Sequence, residues 1–286
     1  MTIGARARRL TAATLLTLSA LASATPALAS PAEVTRYVAL GDSFASVGTL
    51  TNVHLDPVGC ARSRDNYPAQ LAARLRPKTF VDRTCGAART PHMTEPQGVP
   101  LGQNPPQFDA LTKDTDLVTL TIGGNDIGFA DIVLTCATLS LTNPAGTPCG
   151  THFGNDLTNR LETLKPKFTK VLEGIRTRAP KARLAVVGYL RLLPPTKGCW
   201  PLVPIAEGDV PYLDTFQHTL NAALATWSKA AGATFVNPGL TTGHDVCQLP
   251  GAKWVEGILP TSPSVPVHPN TKGQTYVAGL AAEALG

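Results

Sequence analysis

Short apolar, β-rich runs alternating with longer segments of helical period constrain this chain more than any other feature of its sequence. Residues 37–40, 79–81, 116–122, 182–188 and 233–236 read as strands. Between the third and the fourth, Leu157, Leu161, Leu164, Phe168, Val171, Leu172 and Ile175 recur at intervals of four and three, the spacing of one buried helix face. Pro166 is expected to kink that helix or divide it, because proline has no N–H and crowds the preceding turn. Helical patterns also fit residues 67–75, 212–230 and 271–285. Strands that alternate with helices, several of them apolar throughout, imply a parallel sheet covered on both faces. At 43% hydrophobic and 16% charged over 286 residues, the chain has material for one substantial core.

The first 29 residues do not belong to that core. Arg6, Arg8 and Arg9 precede an apolar run from Leu10 to about Ala24, which ends at Pro26 and the small-residue site Ala27-Leu28-Ala29. This is the pattern of a secretory signal peptide, and the run is too short and too rich in Thr and Ser for a membrane anchor. The expected domains are therefore a signal peptide over residues 1–29 and one catalytic-size domain over 30–286. Removal of residues 1–29, which hold three arginines and no acid, lowers the formal charge from +5 to +2. That imbalance is too weak to point to nucleic acid or an anionic surface as partner. No later segment has the length and apolarity of a bilayer span, so no stable membrane insertion is expected, and the expected state is a monomer.

All six cysteines, Cys60, Cys85, Cys136, Cys149, Cys199 and Cys247, lie in the exported part. An even count in an exported chain suggests three disulfides. No Cys-x-x-Cys or clustered Cys/His spacing favours zinc, and His54, His92, His152 and His218 show no ligand spacing and are expected at the surface. Six cysteines allow 15 pairings, among which spacing does not choose. Residues 86–106, 136–153 and 189–211, rich in Pro, Gly and Thr, are long for structureless connections, and each holds or borders a cysteine. Loops of that length are commonly functional or stapled.

The stretch VALGDSFASVG (38–48) puts a serine just beyond the first strand, and in a parallel sheet ligands bind outside the carboxyl ends of the strands. Gly41 permits a tight exit from the strand, and the residues after Ser43 can begin a helix whose free N–H groups favour a developing anion. A serine there also suits simple helix capping. Three further segments bear on the choice: TCGAA (84–88) follows the second strand, LTIGGNDIG (120–128) follows the third, and VPVHPNTKG (265–273) precedes the terminal helix.

These four segments, in this order and spanning the exported chain, resemble the SGNH, or GDSL, family of serine hydrolases. The resemblance implies a three-layer α/β/α fold with a central parallel sheet of about five strands. It also implies Ser43 as nucleophile, His268 as its general base, and an oxyanion hole of the Ser43 N–H, the Gly86 N–H and the Asn125 side-chain amide. The chemistry needs these types, since a hydroxyl is nearly inert until a base takes its proton, and the anionic intermediate needs preorganised donors. Asp42 and Asp126, tempting as an acid–base pair, are architectural in the resembled family. One departure stands out, because the family commonly carries an aspartate three residues before the histidine, and here that residue is Val265. The chain further resembles a secreted actinobacterial branch at Gly188-Tyr189, at GHDVC (243–247) and at WVEG (254–257). That resemblance implies a main-chain carbonyl near Val265 or Pro266 in place of the acid, with Asp245 as the competing helper, and the sequential pairs Cys60–Cys85, Cys136–Cys149 and Cys199–Cys247.

The resulting expectation is a secreted carboxylic-ester hydrolase working through an acyl-enzyme, with no metal or cofactor. Fatty-acyl lipid or phospholipid esters are the first-choice substrates, with Leu192, Leu193, Trp200, Leu202 and Ile205 as the apolar residues that would receive them. The alternatives are a polysaccharide deacetylase of the acetylxylan-esterase kind and, in another class, a non-catalytic carbohydrate-binding protein, which would be expected to lack one of the four segments.

Overall fold

The structure, a computed structural model, describes residues 33–286 together with residues 1, 2 and 4. The signal peptide expected over residues 1–29 lies, those three apart, outside the described residues. Within the unit Glu33–Gly286 the chain runs β1 (Arg36–Gly41), α1 (Ser43–Ser46), α2 (Tyr67–Leu75), β2 (Thr79–Asp82), β3 (Gln97–Val99), β4 (Gly102–Asn104), β5 (Leu117–Thr121), α3 (Phe129–Ser140), α4 (Pro148–Phe153), α5 (Asp156–Arg178), β6 (Arg183–Val187), α6 (Val210–Ala230), β7 (Thr234–Val236) and α7 (Thr271–Leu285). Five strands form one sheet in the order β2-β1-β5-β6-β7, every pair parallel. β3 and β4 form a separate antiparallel hairpin.

Strand side chains alternate between two layers, as a period of two requires. Tyr37, Ala39, Leu117, Ala185 and Val187 pack in one cluster with Leu71 of α2 and Val277, Ala278 and Ala281 of α7. Val38, Leu40, Val118, Leu120, Leu184 and Val186 pack in the other with the α5 face from Leu161 to Ile175 and with Leu220 and Leu224 of α6. Both faces are thereby covered, the three-layer arrangement that the apolar strands implied. Each fully buried large side chain, such as Phe168, contributes about 1.5–3 kcal/mol. The chain passes from β1 to β2 on one side and then to β5 on the other side of β1. The order reverses there, so the ends of β1 and β5 form the crevice in which open α/β sheets bind ligands.

Pro166 does not divide α5, which runs unbroken from Asp156 to Arg178. The proline is on the exposed side of the helix, where water can satisfy the carbonyl left without its N–H. Residues 136–153, too long for a structureless link, hold the last turn of α3 and all of α4, stapled by the Cys136–Cys149 disulfide. The buried Asp209 carboxylate accepts the Cys149 and Gly150 N–H groups at 2.8 Å each, serving the otherwise unpaired donors at the start of α4. Cys60 is bonded to Cys85, and Cys199 to Cys247.

Candidate active site

Ser43 is the first residue of α1, directly after the end of β1. The turn is held by Gly41, whose φ of +149° and close approach to β5 suit no other residue; a Cβ there would sit 2.5 Å from the Thr121 carbonyl oxygen. The fully buried Gln107 clamps the same residue, its Oε1 accepting the Gly41 N–H at 2.7 Å and its Nε2 donating to the Gly41 carbonyl at 2.9 Å. Asp42 caps α1 by accepting the Phe44 N–H at 3.0 Å. Burial pushes the Asp42 carboxyl up to about 7, against the lowering effect of hydrogen bonds from Tyr189 and Phe44. From α7, the buried Gln274 donates to the Phe44 carbonyl at 3.0 Å and to the Val47 carbonyl, tying α1 to the helix that follows His268.

His268 arrives from the opposite end of the chain, and its Nε2 lies 2.8 Å from Ser43 Oγ. Its Nδ1 lies 2.8 Å from the Pro266 carbonyl oxygen. A carbonyl can only accept, so Nδ1 carries the proton and Nε2 presents its lone pair to the serine hydroxyl. Of the two helpers weighed from the sequence, the carbonyl therefore meets the ring. Asp245 does not: its carboxylate accepts the Cys247 N–H and the Gln248 side-chain amide, both at 3.0 Å. Desolvation lowers the imidazole below its ordinary 6.5, against the raising effect of the Pro266 carbonyl.

The backbone around His268 is pinned. Val267 takes a left-handed φ of 60°, a costly conformation for a β-branched residue, and its N–H donates to the Glu256 carbonyl at 3.1 Å. The Glu256 N–H in turn donates to the His268 carbonyl at 3.0 Å, and the Asn270 N–H to the Trp254 carbonyl at 2.9 Å. Asn270 caps α7 through the Lys272 and Gly273 N–H groups and donates to the buried Glu256 carboxylate at 2.8 Å. Burial alone would raise Glu256, but hydrogen bonds from Asn270, Thr261 and Ser262 outweigh it and hold the carboxyl below its ordinary 4.5. The HPN segment thus owes its place to the WVEG stretch, a dependence with no signal in residue spacing.

Asn125 and Asp126 sit in the turn after β5. Asn125 Nδ2 donates to the Ala88 carbonyl at 2.9 Å, leaving its second hydrogen unclaimed among the described residues. Asp126 accepts the Thr90 hydroxyl at 2.6 Å and the Thr90 N–H at 3.0 Å, so it joins the GGND turn to the segment after β2, the architectural part expected of it. Gly86 differs from expectation. Its N–H is committed to the Cys60 carbonyl at 2.9 Å. The neighbouring Ala87, held at a φ of 59°, has an N–H with no acceptor among the described residues, as does Ser43. The unclaimed donor of this turn is therefore at Ala87, which a search for glycine passes over.

An apolar pocket opens beside Ser43, lined among others by Phe44, Ile132, Leu192, Leu193, Ile205 and Phe216. Of the five loop residues singled out in the sequence, Leu192, Leu193 and Ile205 line it, whereas Trp200 does not and Leu202 is exposed to solvent. Among the described residues no group of three or more His, Cys, Asp or Glu is placed to hold a metal ion, and no helix is long and apolar enough to cross a membrane. Of the four histidines expected at the surface only His152 is exposed; His54, His92 and His218 are half-buried.

The chain matches the model of the GDSL-like lipase/acylhydrolase family over residues 39–276. It is 40% identical to Lipase 2 of Streptomyces coelicolor, over 93% of this chain and 90% of that one. It is 32% identical to a lipase of Streptomyces rimosus, over 94% of each. Among solved structures it resembles phospholipase A1 from Streptomyces albidoflavus, with a TM-score of 0.73 and 28% identity over 88% of this chain and 98% of that one. It likewise resembles the extracellular lipase of Streptomyces rimosus, with a TM-score of 0.72 and 30% identity over 87% and 99%. On the family match, the similarity along nearly its whole length and the shared fold, the chain belongs to the GDSL-like lipase/acylhydrolase family and is a serine ester hydrolase.

Proposed function

We propose that the protein is an exported hydrolase of fatty-acyl esters that works by covalent catalysis on Ser43, residues 1–29 being removed on secretion. In this reading the Ser43 hydroxyl passes its proton to His268 Nε2 as Oγ attacks the acyl carbon. The anionic oxygen forms against the Ser43 N–H, the Ala87 N–H and the free hydrogen of the Asn125 amide; each such donor is worth roughly 3–4 kcal/mol in comparable sites. Collapse expels the alcohol, which takes the proton from His268, and leaves an acyl ester on Ser43. Water then attacks that ester, giving its proton to the same nitrogen; collapse breaks the bond to Ser43 Oγ, which takes the proton back from His268, and the acid departs. The Pro266 carbonyl keeps the imidazole in the tautomer that both half-reactions require.

The observation that carries the substrate side is the pocket beside Ser43, whose walls are almost wholly apolar. An acetyl group needs room for one methyl and gains nothing from such walls, whereas an alkyl chain gains about 0.8 kcal/mol for each methylene it buries. The names of the relatives, lipases and a phospholipase A1, agree with an acyl-lipid substrate. The purified protein tests this when given phosphatidylcholine, a triglyceride and acetylated xylan at equal ester concentration. Faster release of fatty acid than of acetate is expected, and a clear preference for acetylated xylan would replace this reading by the polysaccharide deacetylase.

A further inference from the structure

Tyr189 has no part in the reaction just described, yet its hydroxyl occupies the space between two of the segments that carry it out. The residue follows β6 and is buried, at 5% exposure. Its O–H donates to Asp42 Oδ2 at 2.6 Å, and its oxygen accepts the Gly124 N–H at 2.7 Å. Its ring meets that of Phe44 edge-on, with centroids 5.1 Å apart. Its own backbone is fixed by Asn221 of α6, which accepts the Tyr189 N–H at 2.9 Å and donates to its carbonyl at 2.8 Å. One buried hydroxyl, anchored from a helix on the far side of the sheet edge, thus bridges the residue before Ser43 and the residue before Asn125.

A tyrosine that only filled core volume would do so equally well as phenylalanine. The hydroxyl must therefore be accounted for separately, because burying it costs free energy unless its bonds are made. Both are made here, at short distances and to two different turns. Gly124 adds a steric sign of the same fit: a Cβ there would lie 3.1 Å from the tyrosine oxygen, so a side chain would crowd the phenol. Catalysis through an anionic intermediate depends on donors held at the right separation before reaction. The Ser43 N–H and the Asn125 amide belong to different strands' ends and share no direct hydrogen bond among the described residues.

We propose that Tyr189 is a positioning residue that sets the distance between the serine turn and the asparagine turn by bridging Asp42 and Gly124 through its hydroxyl. The proposal rests on the reading of Ser43 and Asn125 as reacting and oxyanion-binding groups. Tyr189→Phe removes the bridge and keeps the ring, leaving the Gly124 N–H unpaired and Asp42 with one partner fewer.

The experiment measures kcat and KM on a soluble short-chain p-nitrophenyl ester for wild type, Tyr189→Phe, Asp42→Asn, their double variant, Asp42→Ala and Ser43→Ala. Rates of the proteins that keep Ser43 are divided by the concentration of active sites titrated with a fluorophosphonate, so that a loss of folded protein is removed from the result, and the Ser43→Ala rate is divided by the concentration of folded protein. Tyr189→Phe is expected to lower kcat on the order of 10- to 100-fold at an unchanged KM. Because the two groups share the Tyr189–Asp42 hydrogen bond, the double variant is expected to lose less than the sum of the two singles. A Tyr189→Phe kcat within twofold of wild type, or losses that add in the double variant, overturns the proposal. If Tyr189→Phe does not fold, the same judgement falls on Asp42→Ala, which removes the bridging acceptor altogether and for which wild-type kcat overturns it. Retained activity in Ser43→Ala would instead remove the underlying reading, so the two failures are distinct.

Discussion

Lengthening the acyl chain of a soluble ester is expected to raise kcat/KM steeply, because the added methylenes leave water for the pocket beside Ser43. From p-nitrophenyl butyrate to octanoate the acyl group gains four methylenes. At about 0.8 kcal/mol for each one fully buried, the transition state gains about 3 kcal/mol, or about 200-fold; half-buried methylenes would give about 15-fold. The walls supporting the larger figure are Ile132, Val203, Ile205, Leu220 and Val246, each already less than a tenth exposed and so held in place. Initial rates measured well below KM, and below the concentration at which the esters aggregate, give the ratio directly. Val203→Phe, which adds bulk inside the pocket, is expected to cut that ratio severalfold while leaving the butyrate rate close to wild type. A ratio below about three in the wild-type protein would refute the assignment of this pocket to the acyl chain.

Three other outcomes follow from the site. Asp245→Asn is expected to leave kcat within about twofold, since its carboxylate serves Cys247 and Gln248 and not the imidazole; a loss on the order of 10⁴ in the folded variant would return it to the triad. Catalysis needs neutral His268, and burial lowers its pKa, so the acid limb of kcat/KM is expected to have its midpoint below 6.5; a midpoint clearly above that value contradicts the desolvated site. Glu256 is held below its ordinary 4.5, so its stabilisation is complete above that pH and is lost as the pH falls through the lower folded value. The melting-temperature gap between wild type and Glu256→Gln should therefore stay constant from about pH 7 to 5 and shrink under more acidic conditions, and a gap that widens with acid contradicts the sign.

The sheet was legible because its strands are short apolar runs bounded by turns, and because α5 presents one unbroken stripe from Leu157 to Ile175. α3 was not, and its burial pattern says why. Its buried residues are Ile132, Cys136 and Ser140, while Leu134 on the outer side is 69% exposed, so apolar residues mark both faces and the helical period disappears. In the site, side chains could be picked out from type and order: Ser43 and His268, 225 positions apart, meet at 2.8 Å, and Asn125 sits in the turn after β5. Backbone donors could not: Gly86 gives its N–H to Cys60, and the N–H without an acceptor among the described residues is that of Ala87, which adopts a φ usually left to glycine. The supports were hidden for a related reason. Gln107, Gln274, Glu256 and Tyr189 hold the site through bonds to residues far away in sequence, and such contacts leave no spacing to recognise.

Ser43 as the nucleophile and His268 as the base that activates it are tested together by mass spectrometry of the protein after brief treatment with a fluorophosphonate, which locates the modified residue and times its formation. A single adduct is expected on Ser43 in the wild-type protein, none in Ser43→Ala, and formation slowed by at least about 100-fold in a folded His268→Ala variant. An adduct on another residue, or labelling of Ser43 at an undiminished rate without His268, would contradict these roles.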